Sequence, residues 1–105
     1  MIPLSVPYID SNEWVYIKDC LDTNWISSAG KYVNDFEDAI KDYVNAKHAI
    51  ACMNGTAGLQ ISLLLKGVHH DDYVIVPNLT FVASLNSIKY LGAHPILIDI
   101  DEDTW

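Results

Sequence analysis

The chain contains no arginine. All six of its bases are lysines, set against fourteen acids, giving a net charge of −8 over 105 residues. Without a guanidinium it cannot offer the two-pronged donor that usually clamps a carboxylate. The acidic balance also repels nucleic acid and anionic membrane surfaces. Cysteine is scarce: Cys20 and Cys52 stand alone, and Cys52 lies in an apolar run, where a free thiol packs as a small hydrophobe. No apolar run approaches the roughly 20 residues that span a bilayer. The opening MIPLSVPYID has neither the basic segment nor the apolar core of a signal peptide. Isolated thiols without an export signal predict a reducing, cytoplasmic setting. The triplets Asn54-Gly55-Thr56 and Asn78-Leu79-Thr80 therefore read as turns rather than glycan acceptors.

What is present is a core-forming composition, half hydrophobic and 19% charged, which excludes disorder. Asp10-Ser11-Asn12-Glu13 resembles a capping box, and Trp14, Ile17 and Leu21 follow at helical spacing, predicting a helix over about 11–22. After the small-residue loop TNWISSAGKY, the residues Val33, Phe36, Ile40, Tyr43 and Val44 mark one face of a second helix. From residue 47 the order becomes strand (HAIACM), helix (TAGLQISLLLKG), strand (YVIVP), helix (FVASLNSIKYLG, closed by Gly92) and strand (HPILIDI). Such spacing implies parallel strands with crossover helices. Strands apolar on both faces imply helices on each side of the sheet. The fold class is α/β. Three strands make a poor sheet alone, so the chain reads as the N-terminal portion of a larger enzyme domain.

Topology places the carboxyl ends of parallel strands on one edge, where ligands bind. Asn54–Ala57, Pro77–Phe81 and Asp99–Asp101 should gather there. Asn54-Gly55-Thr56-Ala57 opens a helix directly after a strand, where free first-turn N–H groups and the helix dipole attract an anion. A plain turn would use the same residues. Phe81 serves either as a core residue or as an aromatic face beside the anion site. Asp99 and Asp101 allow a divalent metal, as in a metal-dependent glycosyltransferase, though Glu102 and Asp103 suggest a solvated loop. His69, His70, Asp71 and Asp72 fall on the opposite edge.

Four stretches taken in order, WISSAGKYVNDFE, NGTAGL, YVIVPNLTFVAS and GAHPILIDIDEDT, closely resemble the N-terminal portion of the DegT/StrS-type sugar-nucleotide aminotransferases. The resemblance runs from about residue 2 to the end and lies nearest the perosamine- and legionaminic-type 4-aminotransferases. It implies part of the three-layer α/β/α large domain of the aspartate aminotransferase fold (type I), with 1–46 as N-terminal helices and 47–105 as βαβαβ. It implies pyridoxal 5'-phosphate (PLP) as cofactor and transfer of an amino group from glutamate to a nucleotide-linked 4-keto-6-deoxyhexose, in a homodimer. A PLP-dependent sugar dehydratase of the same family is the alternative. At matching positions, Gly55, Thr56 and Ala57 would hold the cofactor phosphate and Phe81 would stack on its ring. Ser27, Ser28 and Lys31 would lie near the sugar. The Schiff-base lysine falls beyond residue 105 in family sequences, and none of Lys18, Lys31, Lys41, Lys47, Lys66 or Lys89 lies in a matching motif. The segment alone should be inactive.

Overall fold

In the computed structural model, which describes residues 2–105, four helices each stop on a left-handed residue. They are α1 (Glu13–Asp22), α2 (Lys31–Tyr43), α3 (Gly55–Leu65) and α4 (Val82–Lys89). Asn24 (φ 60°) and Asn45 (φ 51°) follow α1 and α2, and Gly67 (φ 82°) and Gly92 (φ 72°) follow α3 and α4. In every case the next residue turns its N–H back into the last turn. Trp25 donates to the Cys20 carbonyl (2.9 Å), Ala46 to Lys41 (2.9 Å), Val68 to Leu63 (3.1 Å) and Ala93 to Ile88 (3.3 Å). This six-to-one closure satisfies carbonyls that the helix end would orphan, and it suits asparagine and glycine because they tolerate positive φ. Asparagine stops were not anticipated, although Gly92 was.

The chain forms two compact units, Met1–Ala51 and Cys52–Trp105. In the first, Tyr32 on α2 donates its hydroxyl to Asp19 on α1 (2.9 Å). The rings of Tyr16 and Tyr32 lie 5.0 Å apart. The expected capping box is only half formed. The Glu13 carboxylate accepts from the Ser11 N–H (2.9 Å), whereas the N-cap Asn12 makes no side-chain bond, and α1 starts at residue 13 rather than 11.

In the second unit, β1 (Tyr73–Pro77) and β2 (His94–Ile98) pair in parallel, Tyr73 opposite His94 and Pro77 opposite Ile98. The expected strand over residues 48–53 forms no ladder. A strand exists only with a neighbour for its N–H and C=O groups, and residues 48–53 pair with neither β1 nor β2. The core is Val76, Ile88 and Ala93, with Leu63, Val68, Val74 and Leu85 packed against it. Full burial of a valine or isoleucine side chain such as Val76 or Ile88 contributes about 1.5–3 kcal/mol. Helices cover both faces in the sequence reading, but among the described residues only the Val74–Val76 face is covered. Tyr73 and Ile75, on the alternate face, remain exposed.

The amino ends of the strands are tied by Asp71, itself left-handed (φ 68°). Its carboxylate meets His70 Nδ1 (2.9 Å) and His94 Nε2 (3.1 Å), while its N–H donates to the Gly92 carbonyl (3.1 Å). A Cβ on Gly92 would collide with the His70 ring, so both positive φ and close approach require glycine there. The contacts to His94, then His70, hold the Asp71 carboxyl below its ordinary range. A carboxylate depressed in the folded state stabilises above its unfolded pKa, and that contribution fades as pH falls through the folded value. Asp71→Asn should therefore lower stability at neutral pH. The gap to the parent should close below the usual aspartate range, as read by urea unfolding at a series of pH values. A gap independent of pH would refute the assignment.

Candidate functional site

Asn54 begins α3 in extended conformation, and its Oδ1 accepts the Ala57 N–H at 2.9 Å. The Gly58 N–H is the first to reach a helix carbonyl, that of Asn54 (3.2 Å). Between them, the N–H groups of Gly55 and Thr56 have no acceptor among the described residues, as expected of first-turn donors. Gly55 takes no positive φ, and a Cβ there would meet nothing within 4 Å. Neither backbone conformation nor packing within this chain calls for glycine at that position. An added side chain there would meet open space, beside two free donors at the positive end of a helix dipole.

Phe81 is the N-cap residue of α4, extended (φ −68°, ψ 139°) and without a side-chain cap. At 78% exposure it belongs to no core in this unit. Thr80 does not cap the backbone; its hydroxyl lies 3.2 Å from that of Ser84. Asn78 donates to the Ile98 carbonyl (2.7 Å), so the segments leaving β1 and β2 start side by side on one edge. At that edge Asp101 caps its own turn, its Oδ1 accepting from Thr104 N–H (2.8 Å), Thr104 hydroxyl (2.9 Å) and Asp103 N–H (3.1 Å). These bonds, that from the Thr104 backbone foremost, hold its carboxyl below the ordinary range. Asp99 accepts from the Ile100 N–H (3.0 Å). Both carboxylates are occupied with local turns, and no group of three or more ligating side chains forms among the described residues.

In the first unit, Ser27 and Lys31 help line an open groove of about 1080 Å³ with Tyr16, Trp25, Tyr32 and Phe36. Ser28 lies outside that lining. The Ser27 hydroxyl accepts from the Ala29 N–H at 3.4 Å. The Lys31 ammonium stands 5.3 Å from the Tyr32 ring centre. Tyr16 and Tyr32 were not singled out from sequence, where each reads as an ordinary amphipathic position. Ser87, the fully buried polar residue of the second unit, was missed as well. Its only sequence signal is a hydroxyl amid the apolar positions of a short helix.

Residues 7–105 match the DegT/DnrJ/EryC1/StrS aminotransferase family, and the chain belongs to that family. It is 48% identical over 104 residues to the GDP-perosamine synthase of Caulobacter vibrioides, covering 99% of this chain and 28% of that protein. It is 43% identical to the GDP-perosamine synthase of Escherichia coli O157:H7, over 99% of this chain and 29% of that protein. Among solved structures, a Streptococcus pneumoniae protein described as a sugar aminotransferase, in its PLP form, superposes with a TM-score of 0.87 at 33% identity. That match covers 98% of this chain and 26% of the other. The chain thus spans a little over a quarter of the length of the curated relatives it matches. The α/β assignment holds: these neighbours have the aminotransferase fold of which this chain forms one piece.

The Asn54 cap should be worth about 0.5–2 kcal/mol, the usual cost of replacing such a residue by alanine. Asn54→Ala is expected to lower the melting temperature of the full-length protein accordingly, and Asn54→Asp, which keeps the acceptor, to restore it. Equal melting of all three would show that the cap contributes nothing.

Proposed function

We propose that the complete protein is a PLP-dependent aminotransferase that moves an amino group from glutamate to a nucleotide-linked 4-keto-6-deoxyhexose. In this reading the chain supplies the first part of the cofactor-binding domain, with residues 1–46 as N-terminal helices and 47–105 as its strand-and-helix portion. The observation that carries it is the first turn of α3, where Gly55 and Thr56 present free N–H groups before open space. A phosphate dianion fits there. Two backbone donors and the helix dipole supply the attraction without a basic side chain. Gly55 gives the room. The Ala57 N–H, shared with Asn54, flanks the same opening, and the Thr56 hydroxyl is a further donor. Support for a sugar substrate comes from the relatives' names.

PLP, when bound, supplies an electron sink for charge that develops beside the substrate nitrogen. The residues of this chain bind and orient. Gly55, Thr56 and Ala57 fix the phosphate arm, and Phe81 offers a face for the pyridine ring. Ser27, Ser28 and Lys31 would serve the sugar from the loop before α2. With no arginine in residues 1–105, the clamp for a substrate carboxylate lies outside them. The family likeness also supports a homodimer for the whole protein, and the scarce, isolated cysteines of the sequence favour a cytoplasmic setting.

Purified full-length protein should sediment as a dimer and take up PLP with a visible absorption band that borohydride removes. A protein that stays colourless after incubation with PLP would sink the reading. Phe81→Ala should weaken PLP binding by the stacking contribution, about 0.5–1.5 kcal/mol, while Phe81→Trp retains it. The competing outcome is a core role, which would instead cost about 3–5 kcal/mol of stability on truncation to alanine. Measuring PLP affinity beside melting temperature for both variants separates the two.

A further inference from the structure

Ser87 has no exposed surface. Its hydroxyl oxygen lies 2.7 Å from the Ala83 carbonyl of its own helix and 3.2 Å from the Thr56 carbonyl of α3. The hydroxyl has one proton, so the two carbonyls share it in a three-centre bond, the contact within its own helix being the shorter. The longer arm is not required by α4 itself. It reaches from the middle of α4 into the one turn of α3 that carries the free N–H groups.

The Thr56 carbonyl and the Ala57 N–H belong to the same planar trans peptide and point in opposite directions. Ser87 engages that peptide at its oxygen, and Asn54 Oδ1 engages it at its nitrogen, 2.9 Å away. The plane is therefore held from both ends. A carbonyl that accepts a hydrogen bond also polarises its own peptide, here the one whose Ala57 N–H flanks the opening. We propose that Ser87 is a positioning residue: through the Thr56 carbonyl it fixes the orientation of the Thr56–Ala57 peptide, directly after the free Gly55 and Thr56 donors, in the turn that receives the cofactor phosphate. The proposal rests on the reading of the first turn of α3 as the PLP-phosphate site.

The test is equilibrium binding of PLP and of pyridoxal, which has the same ring and no phosphate, to full-length apoprotein. Ser87→Ala should weaken PLP roughly two- to fivefold, somewhat less than the effect of one ordinary hydrogen bond because the proton is shared, and leave pyridoxal affinity as in the parent. Alanine leaves no buried donor behind, so melting should move little. Ser87→Cys fills the same space with a much weaker donor, and it should reproduce the selective loss even if the alanine variant folds poorly. Unchanged PLP affinity in the folded variants, or equal losses for PLP and pyridoxal, would overturn the proposal. Gly55→Val serves as the control, because its side chain would enter the space in front of the donors. If it abolishes the preference for PLP over pyridoxal while the Ser87 variants keep that preference, only the role of Ser87 falls. If the parent protein binds PLP no more tightly than pyridoxal, the phosphate site itself is wrong, and the positioning role falls with it.

Discussion

Two parallel strands cannot be joined by a tight turn, and the second unit follows from that constraint. To bring His94 beside Tyr73, the chain must leave β1 at one edge, travel back the length of the sheet, and re-enter at the other. Helix α4 makes that return. Its start is thereby placed at the edge where β1 ends, and its body is laid against the Val74–Val76 face. Once Ile88 and Leu85 are seated there, the remaining side of α4 is available to α3. That is where Ser87 finds Thr56. The same crossover sets Asp71 and Gly92 together at the opposite edge, joined by the Asp71 N–H and the Gly92 carbonyl. One edge is thus closed by side chains and main-chain bonds, and the other presents loop backbone.

An acidic chain without arginine has few means of holding an anion. Long-range potential is unfavourable at a net charge of −8, so attraction must come from fixed dipoles at contact distance, where they are least screened. A helix N-terminus meets that requirement and adds direction, since each N–H points along the axis toward the ligand. Surface lysines would not serve as well, because two of the six are already committed. Lys18 pairs with Asp22 and Lys41 with Asp38, each within its own helix. The candidate site is therefore built from backbone, and its specificity depends on how rigidly the peptides are held.

Elements governed by local chemistry were legible in the sequence. The strand YVIVP, the helix after Phe81, the Gly92 stop and the Asn54 turn all stand where the residues indicated, and the aminotransferase likeness carried by four short motifs is matched by the family itself. Features that depend on a partner distant in sequence were not legible. HAIACM has the composition of a strand, but a ladder is a relation between two segments, and residues 48–53 take part in none here. The stops at Asn24 and Asn45 escaped notice because asparagine is also common in ordinary loops. Only the apolar residue following each, Trp25 and Ala46, distinguishes the closing motif. Ser87 and Asp71 matter through contacts at separations of 31 and 23 residues, respectively, and no local pattern reports those.

The opening residues of α3 divide two opposing demands. Helix stability argues against glycine at Gly55 and Gly58, each less favourable than alanine by up to about 1 kcal/mol. Space for an incoming group argues for glycine at Gly55, where a side chain would stand before the free donors. The Asn54 cap contributes about 1 kcal/mol in the other direction, so the cost of keeping the site open is offset within the same turn. Ser87 adds a second restraint from α4, outside the turn altogether. A loop relying on glycine alone would be open but mobile, and a helix start relying on its cap alone would be rigid but filled. Asn54, Gly55 and Ser87 together give a start that is both open and held, which is what the proposed recognition of a phosphate by backbone donors would demand.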